Sequence, residues 1–335
     1  LVKAVVFDGP HQLRLTDLPE PEPAAGEVKL RVRACGICGS DVHGYTGESG
    51  RRTAGQVMGH EFAGVIERLG IGVDDWQVGE RVAVYNIVPG DDAHLYPPEM
   101  IQCSKGKKVL GVNTGKVGAF AEYICVPSRN LARLGPKISF ATALLNEPLA
   151  VSYHALGHVP ASAKTLVIVG GGTIGQCLAR VARVMGKWDV YLLEPLAEKR
   201  ELARSTGATV LPPDLDQLAE LLPHGADASI EAVGVEETLI TSLRVIKPGG
   251  TLVVLGNLAK QVTLPYQEIS SYEKKLVGSY GFSPSDFQTI IGWINEGKFE
   301  LEALLSGTCS LSETPTVFAD LASGKRQAVK IVVEP

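Results

Sequence analysis

Residues 165–175 read TLVIVGGGTIG. Thr165–Val169 is a short apolar, β-branched run with the length of a buried strand. Gly170, Gly172 and Gly175 follow it at G-x-G-x-x-G spacing. Ile174, Cys177, Leu178, Val181, Ala182 and Met185 then recur at helical intervals up to Gly186, which predicts a helix over 174–185 with one apolar stripe and a glycine stop. Strand, glycine turn and helix in that order form a dinucleotide-binding unit. Gly170 permits the tight turn, Gly172 lets the backbone approach a pyrophosphate, and Gly175 allows helix and strand to pack closely. Thr173 and Ile174 open the helix, whose free amides and positive dipole end suit an anion.

Downstream the pattern repeats: strands are expected at 190–193, 228–232 and 251–255, a helix at 198–204, and a Lys-Pro-Gly-Gly turn at 247–250. Alternation of this kind implies βαβ units and a parallel, doubly wound Rossmann sheet. Glu194 stands 19 residues after Gly175, where an acid accepts hydrogen bonds from the adenosine ribose and repels a 2′-phosphate; NAD is favoured over NADP. Arg200, Val233, Gly234, Leu255 and Gly256 complete the expected cofactor contacts.

Upstream, short β-branched runs at 27–32, 62–69 and 81–85 lie between Gly and Pro clusters, the texture of a β-rich domain. The expected organisation is a β-rich domain over 1–150, completed by 286–335, and a nucleotide domain over 151–285. The tail is assigned to the first domain because 330–333 reads as one more strand. An overall α/β chain follows.

Charge narrows the partners. The formal net charge is −5, with 32 basic and 37 acidic residues interspersed, so no basic stripe is available for nucleic acid. No apolar stretch has the ~18 residues a membrane span needs, and the first ten residues lack the layout of a signal peptide. A soluble, cytoplasmic protein acting on small molecules is expected. Six cysteines are too few for a disulfide scaffold, and only Cys35 and Cys38 lie close together, as metal ligands or as a redox pair.

Three segments carry metal-binding types: CGSDVH at 38–43, GHEF at 59–62 and NEP at 146–148. They offer a thiolate, an imidazole and two carboxylates, the donors zinc accepts. Taken singly, each has a plainer reading: Cys38 as a small buried hydrophobe, His60 as a structural histidine beside a solvated Glu61, Ser40 as a helix cap.

Together with VGERV at 78–82, GAFAEY at 118–123, EPLA at 147–150 and the glycine turn, these segments resemble the zinc-containing medium-chain dehydrogenases, in particular the sorbitol and threonine dehydrogenase branch. The resemblance implies a GroES-like catalytic domain beside the Rossmann domain. It implies that Cys38, His60 and Glu61 bind a catalytic zinc, with Glu147 a fourth ligand or the partner of a zinc-bound water. Asp41 is then expected to orient His60, and Ser40 and His43 resemble the family's proton relay. A homodimer or homotetramer is also implied.

One departure stands out. Where many members hold a structural zinc with four cysteines, the matching positions are Pro89, Asp92, Leu95 and Cys103. A single zinc is therefore expected, with the lobe over 86–111 held by packing or by a neighbouring subunit, and residues 91–94 as a solvated loop. The implied reaction is hydride transfer to NAD from a secondary alcohol of a polyol, cyclitol, sugar acid or similar polar substrate. Two other readings are a zinc-free quinone or enone reductase of the same family and a non-catalytic sensor that binds NAD and a sugar.

Overall fold

The computed structural model describes residues 1–335. The chain divides into two compact units, Leu1–Glu147 with Ser283–Pro335, and Pro148–Phe282. No helix is long and apolar enough to cross a membrane.

The first unit is built on a sheet whose strands run in the order Leu131–Arg133, Arg81–Val84, Glu61–Leu69, Glu27–Ile37, Lys330–Glu334 and Leu305–Ser310, with Tyr123–Pro127 also paired to Glu27–Ile37. A smaller sheet joins Gln12–Leu18, Val2–Gly9 and Gln56–Val57. Alternate residues of these strands, among them Leu30, Phe62 and Ile66, meet Val5, Met58, Phe120 and Phe318 in one core. The terminal strand is the closing piece: Val333 pairs with Cys35 and Ile331 with Ile37, which brings Lys330 beside the metal-ligand segments.

The second unit is a six-stranded, wholly parallel sheet in the order Thr209–Leu211, Asp189–Leu193, Thr165–Val169, Ala226–Glu231, Ile246–Val254, Lys275–Gly278. This is the Rossmann strand order, with the topological switch between the first and fourth strands. The predicted helix forms over Thr173–Met185, buries Cys177, Leu178, Val181 and Ala182, and stops at Gly186 in the left-handed conformation (φ 63°).

One local expectation is corrected. The Lys-Pro-Gly-Gly segment does not separate a strand from the preceding helix; it lies inside the strand Ile246–Val254. The ladder to Ala226–Glu231 shifts register there, and Gly249 adopts φ 74° with its amide bonded to the Tyr272 carbonyl. A glycine bulge absorbs the turn-like residues without ending the strand.

Candidate active site

Cys38 is set by where the strand Glu27–Ile37 ends. It is the N-cap of the short helix Gly39–Tyr45, with extended backbone, and its amide donates to the Asp41 carboxylate at 3.3 Å. The cap is thus Cys38 with Asp41 in the first turn, not Ser40, which lies exposed on that turn. Cys38 is half-buried, whereas Cys35 is fully buried and its thiol is pushed well up by burial and by the nearby Asp41 and Glu61 carboxylates. A thiol so held is inert, and none of the six cysteines is in a disulfide.

His60 and Glu61 enter from the start of the strand Glu61–Leu69, and both are buried. The ligating atoms of Cys38, His60 and Glu61 lie within 4.8 Å of one another. Sulfur, nitrogen and oxygen donors in one buried cluster fit zinc, and three protein ligands are the number a catalytic zinc takes, leaving a position for water or substrate. His60 Nδ1 has no hydrogen-bond partner and lies 3.4 Å from Asp41 Oδ1. That places the ring between a carboxylate on one side and Cys38, its other contact, on the other. Burial alone would lower the His60 pKa, but the Asp41 charge and Cys38 outweigh it and raise the pKa well above its usual value.

Behind this cluster stand residues that the motifs did not identify. Arg52, its side chain 2% exposed, donates to Asp41 at 2.9 Å. Burial would raise the Asp41 carboxyl, yet His60 and Arg52 hold it at about 2. Lys330 donates to Glu61 at 2.5 Å and to the Ile37 carbonyl at 3.2 Å, with both charged side chains 1% exposed. Asn86 donates to the His60 carbonyl at 3.0 Å and to Glu147 at 3.4 Å. A lone lysine among β-branched residues in AVKIVV is the one sequence signal that pointed inward, since a strand buried on both faces rarely carries an unpaired charge.

Glu147 is not part of the trio. It occupies the first turn of the helix Asn146–Gly157, against Asn86. Burial pushes its carboxyl up to about 7; His60 opposes the shift and Glu61 adds to it. His43 lies on the helix Gly39–Tyr45, its Nδ1 2.8 Å from Glu48.

The lobe over 86–111 is held by a carboxylate. Asp92 accepts from the amides of Lys105 at 2.9 Å and Gly106 at 3.2 Å, and Ser104 accepts from Gly90 at 3.2 Å. Residues 91–94 fall in a short 3-10 helix, not in a loop. Of the four positions matching the family's cysteines, Asp92 thus works through hydrogen bonds to backbone amides.

In the second unit the expected cofactor residues gather at the carboxyl ends of the strands. Gly170 adopts φ 103°, and a Cβ there would strike the Val233 side chain; a Cβ on Gly175 would run into the Gly170 carbonyl oxygen. Glu194 is buried and accepts from Gly171 at 2.7 Å and Leu196 at 2.8 Å. Arg200 donates to the Glu194 carbonyl at 2.8 Å. Glu231, another buried acid that the sequence reading passed over, accepts from Val233 and Gly234 at 2.8 Å each, and its backbone carbonyl receives Leu255 and Gly256 at 3.1 and 2.9 Å.

The comparisons agree with this arrangement. Residues 24–136 match the model of the alcohol dehydrogenase GroES-like domain and residues 173–296 that of the zinc-binding dehydrogenase. The chain is 30% identical to the (R,R)-butanediol dehydrogenase of Neisseria gonorrhoeae, over 100% of this chain and 99% of that protein. Among solved structures it superposes on 2R,3R-butanediol dehydrogenase from Bacillus subtilis with TM-score 0.89 and 27% identity, covering both chains fully. It also superposes on a short chain alcohol dehydrogenase of Escherichia coli CFT073, complexed with the cofactor NADH, with TM-score 0.90 and 26% identity over 100% of this chain and 99% of that one. The chain belongs to the zinc-binding alcohol dehydrogenase family, built as a GroES-like domain with a Rossmann domain.

Proposed function

We propose that the protein is a zinc-dependent, NAD-linked dehydrogenase that oxidises a secondary alcohol of a small polar substrate such as a polyol, cyclitol, sugar acid or vicinal diol. The observation that carries this reading is the convergence of half-buried Cys38 with buried His60 and Glu61, their ligating atoms within 4.8 Å of one another. In this reading those three side chains hold the metal. When bound, zinc polarises the substrate hydroxyl as a Lewis acid and NAD accepts the hydride.

The remaining residues supply orientation and proton handling. Asp41, itself fixed by Arg52, holds the His60 ring; Lys330 balances the charge of Glu61 and keeps it aimed inward. Ser40 and His43 carry the hydroxyl proton toward water. Glu147, whose carboxyl burial pushes up and which Asn86 holds, serves as a proton acceptor or donor for the site. Gly170, Gly172 and Gly175 admit the pyrophosphate, with Thr173 and Ile174 at the helix start. Glu194 holds the turn through two amides and retains lone pairs for the adenosine ribose hydroxyls. Arg200, Val233, Gly234, Leu255 and Gly256 line the rest of the cofactor path.

A homodimer or homotetramer is part of the proposal. The strand Lys275–Gly278 pairs only with Ile246–Val254, so its outer edge leaves backbone groups unpaired beside exposed Tyr272, Leu276 and Tyr280. Such an edge is a template for a second copy, and sedimentation that finds only monomer at micromolar concentration would refute it.

The test of function is reduction of NAD and of NADP, followed at 340 nm, against vicinal diols, polyols, cyclitols, sugar acids and L-threonine. NADH formation with at least one secondary alcohol is expected. Absence of turnover across the panel with zinc-loaded protein contradicts the reading.

A further inference from the structure

The helix Gly39–Tyr45 does not simply fray after His43. The chain folds back on it: Thr46 donates its amide to Val42 at 2.9 Å and its hydroxyl to the His43 carbonyl at 3.2 Å, and Ser49 donates its amide to that same carbonyl at 3.1 Å. Gly47 and Gly50 turn the backbone with φ 85° and 60°, a conformation that glycine adopts without strain. The result is a tight loop that returns Glu48 to the histidine five residues earlier, with Oε2 2.8 Å from Nδ1.

A carboxylate only accepts hydrogen bonds, so the ring proton sits on Nδ1 and Nε2 is left with its lone pair. This is the tautomer a proton acceptor needs at Nε2, and it is imposed by the chain's own loop. A second histidine near Glu48 is His11, in the turn between Val2–Gly9 and Gln12–Leu18, where its amide bonds to the Tyr45 carbonyl at 2.8 Å. The pairing also marks Glu48 itself: its carboxyl is held below the usual range, chiefly by the hydrogen bond to His43, which outweighs the opposing effect of burial.

We propose that Glu48 is a positioning residue of the proton relay, fixing His43 in the Nδ1–H form and stabilising the imidazolium formed when Nε2 takes up the substrate's proton. The inference rests on the dehydrogenase reading above. The ring gains one proton at Nε2 and one positive charge, which the Glu48 carboxylate offsets; loss of one proton to water restores the neutral ring. Orientation of a catalytic histidine by a carboxylate at its far nitrogen is a known way to make it an effective base. Here both partners touch solvent, with side-chain exposures of 37% and 61%, so the effect belongs at the lower end.

The test uses the zinc-loaded protein with Glu48→Gln, Glu48→Ala and Glu48→Asp. Steady-state alcohol oxidation across about pH 5–9, roughly two units either side of neutrality, is compared with diethyl pyrocarbonate labelling of His43 at each pH, read by peptide mass spectrometry, which needs no turnover. Expected for E48A is a kcat lower by about tenfold with KM within about twofold, while E48D keeps most of the wild-type rate. In E48Q and E48A the labelling curve of His43 and the pH profile of kcat both change, because the ring is no longer held with its proton on Nδ1 and its Nε2 lone pair free.

Active wild-type enzyme whose kcat, pH profile and labelling curve are all unchanged in E48A and E48Q overturns the proposal and leaves the dehydrogenase reading standing. Wild-type protein that oxidises no alcohol while its labelling curve still shifts on mutation removes the reading and, with it, any relay role for Glu48.

Discussion

Replacing Lys330 by methionine isolates the charge that the trio depends on in the absence of metal. Methionine keeps most of the apolar stem but removes the ammonium that donates to Glu61 at 2.5 Å and to the Ile37 carbonyl at 3.2 Å. Both charged partners are 1% exposed, so water does not replace the lost bond. Breaking such a pair from one side costs about 3–5 kcal/mol, because a buried carboxylate is left without a counter-charge. A domain has about 5–15 kcal/mol in all.

The assay is urea unfolding of chelated protein, followed by tryptophan fluorescence; Trp76 and Trp293 both lie in the unit that holds the pair. K330M is expected to lose about 3–5 kcal/mol against chelated wild type. The double variant K330M with Glu61→Gln should recover most of that loss, since no charge is then stranded. Zinc should shrink the deficit by supplying the missing positive charge. A K330M protein within about 1 kcal/mol of wild type, or a double variant no more stable than the single, refutes the reasoning.

Three further outcomes follow from the nucleotide unit. Asp227 ties the Thr165–Val169 strand through the amides of Lys164 and Thr165 at 2.7 and 2.9 Å; burial would raise its carboxyl, but Lys247 and these amides outweigh burial and hold it far below the carboxylate range. With the folded pKa below the unfolded value of about 3.9, its stabilisation is present above that value and lost as pH falls through the folded pKa. Asp227→Asn should therefore lower the melting temperature at pH 7, with a deficit that shrinks as the pH falls below about 3.9 but has not vanished by pH 2, and parallel melting curves across that range would count against it. Gly175→Ala drives a Cβ into the Gly170 carbonyl, so NADH binding measured by fluorescence titration should weaken by at least about tenfold; retained affinity would contradict the turn's assigned role. Glu194→Ala removes the acceptor at the end of the second strand, and NAD affinity should fall about 10–100-fold while NADP gains relative to NAD in kcat/KM; an unchanged preference would assign discrimination elsewhere.

The parts of the fold that were legible in the sequence are those that repeat with a local period. The 3.6-residue recurrence from Ile174 to Met185 and the β-branched runs beside it are local consequences of which face is buried, and the helix Thr173–Met185 and the parallel sheet formed where these patterns lie. Where a residue's conformation is set by distant partners, the pattern fails. The glycines of 247–250 have turn chemistry, yet the neighbouring strand keeps them in the sheet as a bulge. Lys330 and Glu61 are separated by 269 positions, and no spacing rule connects them. Arg52 and Asn86 sit in irregular segments whose identity gives no cue that their side chains are buried against Asp41 and Glu147. The candidate ligands Cys38, His60 and Glu61 were visible as motifs only because each sits where a regular element begins, while nothing local to 146–148 indicates that Asn86 reaches Glu147.

The most direct test of the central claim is metal dependence at the trio itself. Zinc content by mass spectrometry and NADH formation would be measured on zinc-loaded, chelated and zinc-restored wild type and on Cys38→Ser. The expected result is turnover that is lost on chelation and regained with zinc in wild type, and loss of both metal and turnover in C38S. Full turnover by the chelated, zinc-free protein, or by C38S with its metal gone, would contradict a catalytic zinc held by Cys38, His60 and Glu61.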